Sequence, residues 1–263
     1  MNQARPKLVV ERPHSARIYD YWLGGKDNYA ADRDAADAVL RELPWVRTAC
    51  RENRAFMHRA ARAMVAAGID QFIDIGTGIP TAPNLHQIVQ EARPSAHVVY
   101  VDHDPVVLAH AAALMKGDPR GRTAYVQADA RNPQALLEAP DLRTVIDFGR
   151  PVGVTMLALL HFLPDDDQAA RLVARIVEAI PAGSQVAITH ATGDLDPVAT
   201  ARGQETYRAS GVPFRLRSKV EVEQLFTGLD LLEPGVVMAH RWHAKPSVAD
   251  REVSAYGGVA RKA

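Results

Sequence analysis

The chain has 263 residues, of which 47% are hydrophobic and 24% charged, a balance that fits one α/β domain with an added segment and excludes disorder for most of the sequence. Its 31 basic and 31 acidic residues give a formal net charge of +0, so no electrostatic drive toward nucleic acid is evident.

The first 69 residues predict a helical extension. A short helix begins at Ser15 and ends at the pair Gly24–Gly25, and two longer helices follow, at about 30–43 and 44–67. The segment Tyr19–Tyr29 is rich in aromatic and polar residues beside the two glycines. It predicts a lid over the mouth of a binding site, with an ordinary helix–turn–helix as the alternative.

From residue 70 the pattern changes to short apolar runs that alternate with helical stretches. This alternation predicts βαβ units and a mostly parallel sheet with helices on both faces, in a domain that covers residues 70–243. The expected strands are Gln71–Ile75, His97–Val101, Thr123–Val126, Val152–Leu157 and Gln185–Thr189. The expected helices are Pro83–Ala92, Pro105–Met115, Pro133–Leu137 and Asp165–Ile180.

A helical insert is predicted at about 195–228, with helices at 197–210 and 220–226 on either side of a basic loop. Two strands, Leu231–Glu233 and Val236–Trp242, then read as a hairpin closed by Pro234–Gly235 at an antiparallel edge of the sheet. Residues 244–263 are expected to form a loose tail.

The strongest local signal is the segment Asp74–Gly78, at the end of the first strand. Its two glycines, Gly76 and Gly78, allow a sharp turn and a close approach of the backbone around Thr77 to a ligand. A tight strand–helix turn without a ligand is the structural alternative.

Two further acids follow strand ends and strengthen the signal. Asp102 ends the second strand, where a carboxylate can accept both ribose hydroxyls of an adenosine ligand, and Asp129 with Ala130 follows the third strand, where it can meet the adenine. Each acid alone fits a helix N-cap equally well. All three acids converge on one crevice if the strands are parallel.

The identity of the adenosine ligand follows from two positions. Thr81 stands where a dinucleotide-binding turn prefers a small residue for close helix packing. The carboxylate of Asp74 would repel a pyrophosphate but would attract a cation. S-adenosylmethionine carries a sulfonium and an ammonium group. The residues therefore favour S-adenosylmethionine over NAD as the cofactor.

The sequence resembles the class I S-adenosylmethionine-dependent methyltransferases, and more narrowly an actinobacterial S-adenosyl methyltransferase family that was formerly a domain of unknown function. The resemblance extends from about Pro13 to His243. The stretches that carry it are Ser15–Tyr29, Glu52–Phe56, Gln71–Thr81, Tyr100–Pro105 and Leu160–Asp165.

The resemblance implies a Rossmann-like, seven-stranded sheet with S-adenosylmethionine over its carboxyl edge. It matches Gly76 and Gly78 to the glycine loop, Asp102 to the ribose acid and Asp129 to the adenine contact. The general methyltransferase pattern has a third glycine where this chain has Pro80, a departure that the narrower family shares. The full set of expected cofactor contacts is Tyr19, Arg54, Asp74, Gly76, Thr77, Gly78, Asp102, His103, Asp129, Ala130 and His161.

Some of these assignments leave alternatives open. Arg17 or Arg54 could hold the cofactor's carboxylate, although either is more commonly a surface ion pair. His161 follows the fourth strand and is expected to be a general base near the acceptor, a wall of the cofactor pocket, or a core histidine. His103 is expected beside the adenine or ribose.

Other candidates favour structural interpretations. His240 and His243 are expected on opposite faces of the last strand, which argues against a shared metal. Asp165–Asp167 opens a helix, and its acids complement the helix dipole. The basic residues of the loop at 213–219 are expected to be solvated. No metal ligands are expected.

Cys50 is the only cysteine, so it excludes an intramolecular disulfide and a cysteine-based zinc site. A buried thiol is the expected state of this residue in its helical pattern. Residues 1–11 lack the apolar core of a signal peptide, and the apolar run Val152–Leu163 is too short to span a bilayer. We therefore expect a cytoplasmic protein with no membrane association.

The resulting hypothesis is an enzyme that transfers a methyl group from S-adenosylmethionine to an unidentified, small-molecule acceptor. No sequence feature identifies a catalytic residue, the acceptor or the oligomeric state. A non-catalytic sensor of S-adenosylmethionine is the first alternative, because fold does not establish activity. A nicotinamide-dependent oxidoreductase is the second.

Overall fold

Five parallel strands form the centre of the sheet in a computed structural model that describes residues 10–114, 116–245 and 247–263. These strands are β1 (Gln71–Ile75), β2 (His97–Asp102), β3 (Arg122–Gln127), β4 (Gly153–Leu157) and β5 (Gln185–Ala191). Their spatial order is β3-β2-β1-β4-β5. The order reverses at β1, so the carboxyl ends of β1 and its neighbours border a crevice of the kind that binds ligands in open α/β sheets.

Three more strands complete an eight-stranded sheet among the described residues. They are β6 (Asp230–Leu231), β7 (Val237–Met238) and β8 (Ala255–Arg261). Strand β8 lies antiparallel beside β5, and β6 and β7 both pair with β8. The fold is therefore the predicted Rossmann-like, mostly parallel sheet, with one strand more than expected.

The chain after residue 243 departs from its prediction. Residues 255–261 do not form a loose tail but the strand β8, which is buried over Tyr256–Ala260. The expected hairpin is also wrong, because β6 and β7 pair with β8 and not with each other. The strand is hard to recognise because Gly257 and Gly258 occupy its middle, and glycine is rare in strands.

Ten helices of the described residues surround the sheet. They are α1 (Ser15–Trp22), α2 (Ala30–Glu42), α3 (Val46–Ala66), α4 (Leu85–Ala92), α5 (Pro105–Leu114), α6 (Pro133–Glu138), α7 (Pro140–Val145), α8 (Asp166–Ala179), α9 (Pro197–Ala209) and α10 (Lys219–Gln224). The sequence does not predict helix α7. The helix expected from Ser15 is capped one residue earlier, by the side chain of His14. No described helix has the length and apolarity needed to cross a membrane.

Apolar side chains are buried on both faces of the sheet. One cluster packs Ile73 and Met156 against α6, α8 and α10, and the other packs Phe72 against Phe56 and Met64 of α3. Burying side chains of this size stabilises a fold by about 1.5–3 kcal/mol each. Packing on both faces holds the strands in place and so fixes the positions of their carboxyl ends.

A third apolar cluster joins the N-terminal extension to the helical insert. Ile18 and Trp22 of α1 and Val39 of α2 pack with Tyr207 of α9. At Gly203 of α9 a Cβ atom would lie 2.5 Å from the side chain of Leu43, so glycine permits the close approach of this helix to the end of α2. The extension and the insert thus form one cap above the carboxyl edge of the sheet.

Candidate functional site

A pocket of about 260 Å³ lies at the carboxyl ends of the parallel strands, and we call it the strand-end pocket. Its floor consists of residues that follow β1, β2, β3 and β4, and its roof comes from α1 and α3. Ten of the expected contacts line it: Tyr19, Arg54, Asp74, Gly76, Thr77, Gly78, Asp102, His103, Asp129 and Ala130.

The glycine turn has the backbone conformation that its sequence predicts. Gly76 and Gly78 have φ values of 76° and 67°, in the left-handed region that favours glycine. The N–H of Gly76 donates to the carbonyl of Val101 at 2.8 Å, which ties the turn to β2. A Cβ atom at Gly76 would lie 2.6 Å from Leu159, so the turn also needs glycine for space.

Asp102 is 7% exposed and holds the turn in place. One carboxylate oxygen accepts the N–H of Gly78 at 3.0 Å, and the other accepts the N–H of Asp104 at 3.0 Å. Burial alone would raise the pKa of Asp102, but hydrogen bonds from His103 and from these two N–H groups outweigh it and keep the pKa below its usual value. The group is a carboxylate at neutral pH, with lone pairs left for a ligand.

Asp74 is the second acid of the strand-end pocket. The hydroxyl of Thr155 donates to its Oδ1 at 2.5 Å. Burial raises the pKa of Asp74 to about 6, against the lowering effects of Thr155 and of the Arg54 charge. A desolvated carboxylate of this kind gains more from a cationic ligand than an exposed one does.

Arg54 is the cation that faces the same pocket from α3. Its Nη2 donates to the carbonyls of Thr81 at 2.5 Å and Pro83 at 2.6 Å, so it also fixes the loop that follows the glycine turn. The other candidate, Arg17, lies elsewhere. It is 3% exposed and paired with Asp32 at 2.8 Å, which excludes it as a contact for the cofactor's carboxylate.

The geometry is thus a glycine turn, an acid at the next strand end, and a further acid and an arginine that line the same pocket. A family model described as S-adenosyl methyltransferase matches residues 1–263. The chain belongs to the S-adenosyl methyltransferase family. Its activity is S-adenosylmethionine-dependent methyl transfer, and S-adenosylmethionine is its cofactor.

Two solved structures are similar to this S-adenosyl methyltransferase over nearly its whole length. A DUF574 family protein of Streptomyces avermitilis is 46% identical with a TM-score of 0.93, and the match covers 97% of this chain and 99% of that one. A protein of Thermobifida fusca, described provisionally as a methyltransferase, is 36% identical with a TM-score of 0.91, over 100% and 99% of the two chains. No curated protein is similar to the chain at a significant level.

The adenine side of the methyltransferase pocket is more open than its centre. Asp129 is bound by its neighbour Arg131, whose Nε donates to both carboxylate oxygens at 2.9 Å. His103 lies 3.4 Å from Asp102, which raises the pKa of the imidazole. Its side chain is 54% exposed at the rim.

Sequence reasoning missed the contribution of the segment before α1. His14, Ser15 and Ala16 line the strand-end pocket, and Ala16 lies closest to the glycine turn, 3.9 Å from the position that a Cβ would take at Gly78. His14 also lies 3.6 Å from Asp104. The signal available in the sequence is the segment Ser15–Tyr29 itself, whose composition predicts a lid over the pocket mouth and not a part of its wall.

A second cavity, of about 110 Å³, lies beside the strand-end pocket, and we call it the side cavity. Tyr19, Asn53, Ala158 and Phe162 line both, so the two spaces are neighbours that share a wall. His161 lines the side cavity only. Its predicted place in the cofactor pocket is corrected, because the turn after β4 directs Ala158 and Leu159, but not His161, toward that pocket.

The remaining candidates have structural partners. His240 lies in a short 3-10 helix, Ala239–Arg241, and not on a strand, while His243 contacts the carbonyl of Glu233 at 2.8 Å. Asp165 caps α8 by accepting the N–H of Asp167. Cys50 is buried, and burial raises its pKa.

The basic loop at 213–219 is solvated only in part: the side chain of Lys219 is 49% exposed, but Arg217 is buried. Arg217 is 3% exposed and donates to the carbonyls of Leu160 and Leu163 and to Asp166. Arg215 binds the same carboxylate at 2.6 Å. These arginines hold the turn after β4 against the start of α8 and so set the position of His161. Across residues 10–114, 116–245 and 247–263, no cluster of three metal-ligating side chains is present.

Proposed function

We propose that this methyltransferase acts on a small molecule, with its cofactor in the strand-end pocket and its acceptor in the side cavity. The observation that carries the proposal is the wall that the two spaces share, made by Tyr19, Asn53, Ala158 and Phe162. Helices of the extension border both spaces, and helix α9 of the insert borders the side cavity. A cavity of about 110 Å³ suits a small acceptor better than a segment of a macromolecule.

The pocket residues fit S-adenosylmethionine by charge. Asp102 is the partner for the ribose hydroxyls, and Asp129 and Ala130 border the adenine. Asp74 is the partner for the ammonium group, since burial raises its pKa and a buried carboxylate gains from a cationic ligand. Arg54 is the partner for the carboxylate, because an arginine beside the glycine turn provides planar N–H donors.

When bound, the cofactor would supply a sulfonium-activated methyl group and would leave as the neutral thioether, and the acceptor's proton would pass to solvent. The chain's part is to align the two molecules and to exclude water. The cap performs the second task. We assign no catalytic residue, because alignment alone accounts for a reaction whose donor is already activated. The sensor alternative is not favoured by the family match.

The extension, residues 1–69, is proposed to work as a lid on the domain 70–243. Gly24 has a φ of 84° with open space around its Cα, and Asp20 fixes the following turn by accepting from Asp27 and Asn28. A rigid turn beside a permissive glycine lets α1 move as a unit. Limited proteolysis between Gly24 and Tyr29 should slow when S-adenosylhomocysteine is bound, and unchanged cleavage would contradict the lid.

Calorimetric titration tests the cofactor assignment. S-adenosylmethionine and S-adenosylhomocysteine should bind the full chain and NADH should not. Asp102→Asn should weaken both by about 10- to 100-fold, the value of a hydrogen bond to a charged group. The matched control is Asp118→Asn, since Asp118 pairs only with Arg120 on the surface. Equal affinity in wild type and Asp102→Asn, or tight NADH binding, would overturn the assignment.

A further inference from the structure

The side cavity differs from the strand-end pocket in having no charged wall. Among the described residues that line it there is no Asp, Glu, Lys or Arg. Its surface is dominated by aromatic rings: Trp22, Trp45, Phe162, Tyr207 and Phe214. An ion placed there would lose its hydration without gaining a partner, which is costly. The cavity therefore selects a neutral molecule with a flat apolar face.

Most polar groups of the side cavity are already paired with one another. The hydroxyl of Thr189 accepts the N–H of Ala158 at 2.8 Å and donates to Asn53 at 2.6 Å. Asn53 donates to the hydroxyl of Tyr19 at 2.9 Å, and Tyr19 donates to the carbonyl of Cys50 at 3.1 Å. This chain of bonds holds the shared wall rigid. Ala158, at its start, has a φ of 52°, a strained conformation for a residue with a Cβ.

The protonation of His190 follows from its neighbours. Arg217 is always a donor, so its contact of 2.8 Å with Nε2 requires that nitrogen to accept. The proton is then on Nδ1, which donates to the carbonyl of Ala191 at 2.8 Å. Burial lowers the pKa of His190 to about 4, consistent with a neutral ring. Both ring nitrogens of His190 are hydrogen-bonded within the protein, so neither is available to a ligand.

His161 is one polar group of the side cavity that remains available to a ligand. Its Nδ1 faces the backbone N–H of Ala191 at 3.5 Å, which makes Nδ1 the acceptor nitrogen. Burial lowers the pKa of His161 well below its usual value, so the ring is neutral and its single proton is on Nε2. No described residue forms a hydrogen bond with Nε2. The ring lies between Phe162 and Phe214, at 4.4 and 4.8 Å between centroids, and lines the cavity.

We propose that the side cavity binds a neutral, single-ring, planar acceptor, and that the Nε2–H of His161 donates a hydrogen bond to an oxygen of that acceptor. The proposal rests on the proposed function, because it takes the side cavity as the acceptor site. The cavity measures about 110 Å³, somewhat less than the roughly 150 Å³ of an apolar cavity that holds benzene, so it limits the acceptor to one ring.

This assignment makes His161 a recognition residue and not a general base. A base would need a free lone pair on Nε2, which would place the proton on Nδ1, directed at another N–H. The reacting atom of the acceptor is instead turned toward the wall shared by the two spaces. Its proton leaves to solvent, as an acidic hydroxyl allows without a base in the protein.

Matched pairs of ligands test the charge and shape requirement. The full chain is saturated with S-adenosylhomocysteine, and binding of 4-hydroxybenzamide and nicotinamide is compared with that of 4-hydroxybenzoate and nicotinate by ligand-observed NMR titration. At least one neutral member should bind at least about tenfold more tightly than its carboxylate, because a buried unpaired charge is costly. Tighter binding of the carboxylates, or binding of neither class, would overturn the proposal.

A variant that fills the side cavity tests whether the neutral ligand binds there. Ala49 of α3 lines only the side cavity, so Ala49→Phe should abolish binding of the neutral ligand and leave the affinity for S-adenosylhomocysteine within about twofold. The control is Val198→Phe, which adds the same ring at a position that is 66% exposed on α9. Ligand binding that survives Ala49→Phe would contradict the site. Loss of S-adenosylhomocysteine binding by the wild type would instead contradict the proposed function.

Two variants of His161 separate donation from proton removal. His161→Gln keeps an N–H donor near Nε2 but has no basic nitrogen, and His161→Leu has neither. If the histidine donates, His161→Gln should retain the affinity of the wild type for the neutral ligand within about threefold, and His161→Leu should lose about tenfold or more. Equal loss in the two variants, with normal S-adenosylhomocysteine binding, would overturn the role given to Nε2–H.

Discussion

The strand-end pocket and the side cavity lie against each other but are built on opposite principles. The strand-end pocket places charged groups, Asp74, Asp102 and Arg54, on the ends of parallel strands and on α3. The side cavity has no charged lining among the described residues, and aromatic rings from α1, α9 and the connecting segments line it. On the proposed assignment, charged groups on the sheet and on α3 hold the cofactor, and the shape of the side cavity under the cap selects the acceptor.

The two spaces should differ in how well they tolerate substitutions. Strand ends are fixed by the two buried faces of the sheet, so the charged pocket tolerates little change. The cap is joined by a separate apolar cluster that includes Ile18, Val39 and Tyr207. Substitutions in that cluster are expected to change the shape of the side cavity more than that of the glycine turn, although α1 borders both spaces. If this contrast holds, substitutions can impair ligand binding in one space and leave the other space unchanged.

The largest effect is expected from Gly76→Ala. The added Cβ requires a left-handed conformation that costs about 1–2 kcal/mol, and it would lie 2.6 Å from Leu159. Calorimetry should show at least about 100-fold weaker binding of S-adenosylhomocysteine, because Gly78 and its bond to Asp102 move with the turn.

Gly228→Ala is the matched control for this variant. Gly228 has a φ of 83° and no heavy atom within 4 Å of the position that a Cβ would take, so it carries the same backbone cost without the clash. Gly228→Ala should lose stability in thermal unfolding but keep its cofactor affinity. Weakened cofactor binding in both variants would show that general destabilisation, and not the turn, controls the pocket.

The second effect should fall on the shared wall. Thr189→Val removes the hydroxyl that accepts from Ala158 and donates to Asn53, leaving two polar groups unpaired. The free energy of unfolding should fall by about 1–3 kcal/mol in urea denaturation. Because Ala158 borders both spaces, turnover should fall more than cofactor affinity does.

Thr144→Val provides the comparison, since the hydroxyl of Thr144 donates only to the carbonyl of Pro140 on the exposed helix α7. Thr144→Val should lower the free energy of unfolding by much less than Thr189→Val does. Equal losses of free energy of unfolding in the two variants would contradict a special role of the Thr189 hydroxyl in the shared wall.

The sequence predicts the strand-end pocket well because its signals are local. Asp74, Gly76 and Gly78 are adjacent, and Asp102 follows from the end of one apolar strand. The backbone conformation of the turn is encoded by the glycines themselves. The five parallel strands agree with their predicted bounds within a residue or two at each end, because buried parallel strands are continuous apolar runs.

The side cavity could not be predicted in the same way. Its wall brings Trp22, Asn53, Thr189 and Phe214 together from four distant segments, and no spacing in the sequence encodes that meeting. Strand β8 escapes prediction for a related reason. Gly257 has little strand propensity, yet the ring of Phe56 lies 2.8 Å from where its Cβ would be, so tertiary packing selects the glycine.

The third prediction concerns pH and tests the charged pocket alone. The pKa of Asp74 is about 6 in the free protein, so lowering the pH from about 7.5 to about 5 protonates the group and removes the partner of the cofactor's ammonium. Affinity for S-adenosylhomocysteine should fall by about tenfold over this range, since one pH unit below the pKa leaves about a tenth of the acid ionised.

Asp74→Asn is the control, because it should bind weakly at about pH 7.5 with little further loss at about pH 5. The raised pKa also means that the protonated form is favoured in the folded state. Stability from this group is present below about pH 4 and lost as the pH rises through about 6, so the unliganded Asn variant should be the more stable one at about pH 7.5. A fall in affinity of the same size in the variant would assign the pH dependence to another group.

The smallest effect is expected from Arg131→Ala, at the open adenine side. The ion pair between Arg131 and Asp129 is exposed, and such pairs contribute about 0–1 kcal/mol, so thermal unfolding should change little. Removing the arginine frees Asp129 to accept from the adenine amino group. Affinity for S-adenosylhomocysteine should therefore stay the same or rise by up to about threefold, whereas Asp129→Ala should lower it. A loss of affinity in Arg131→Ala would show that Arg131, and not Asp129, borders the adenine.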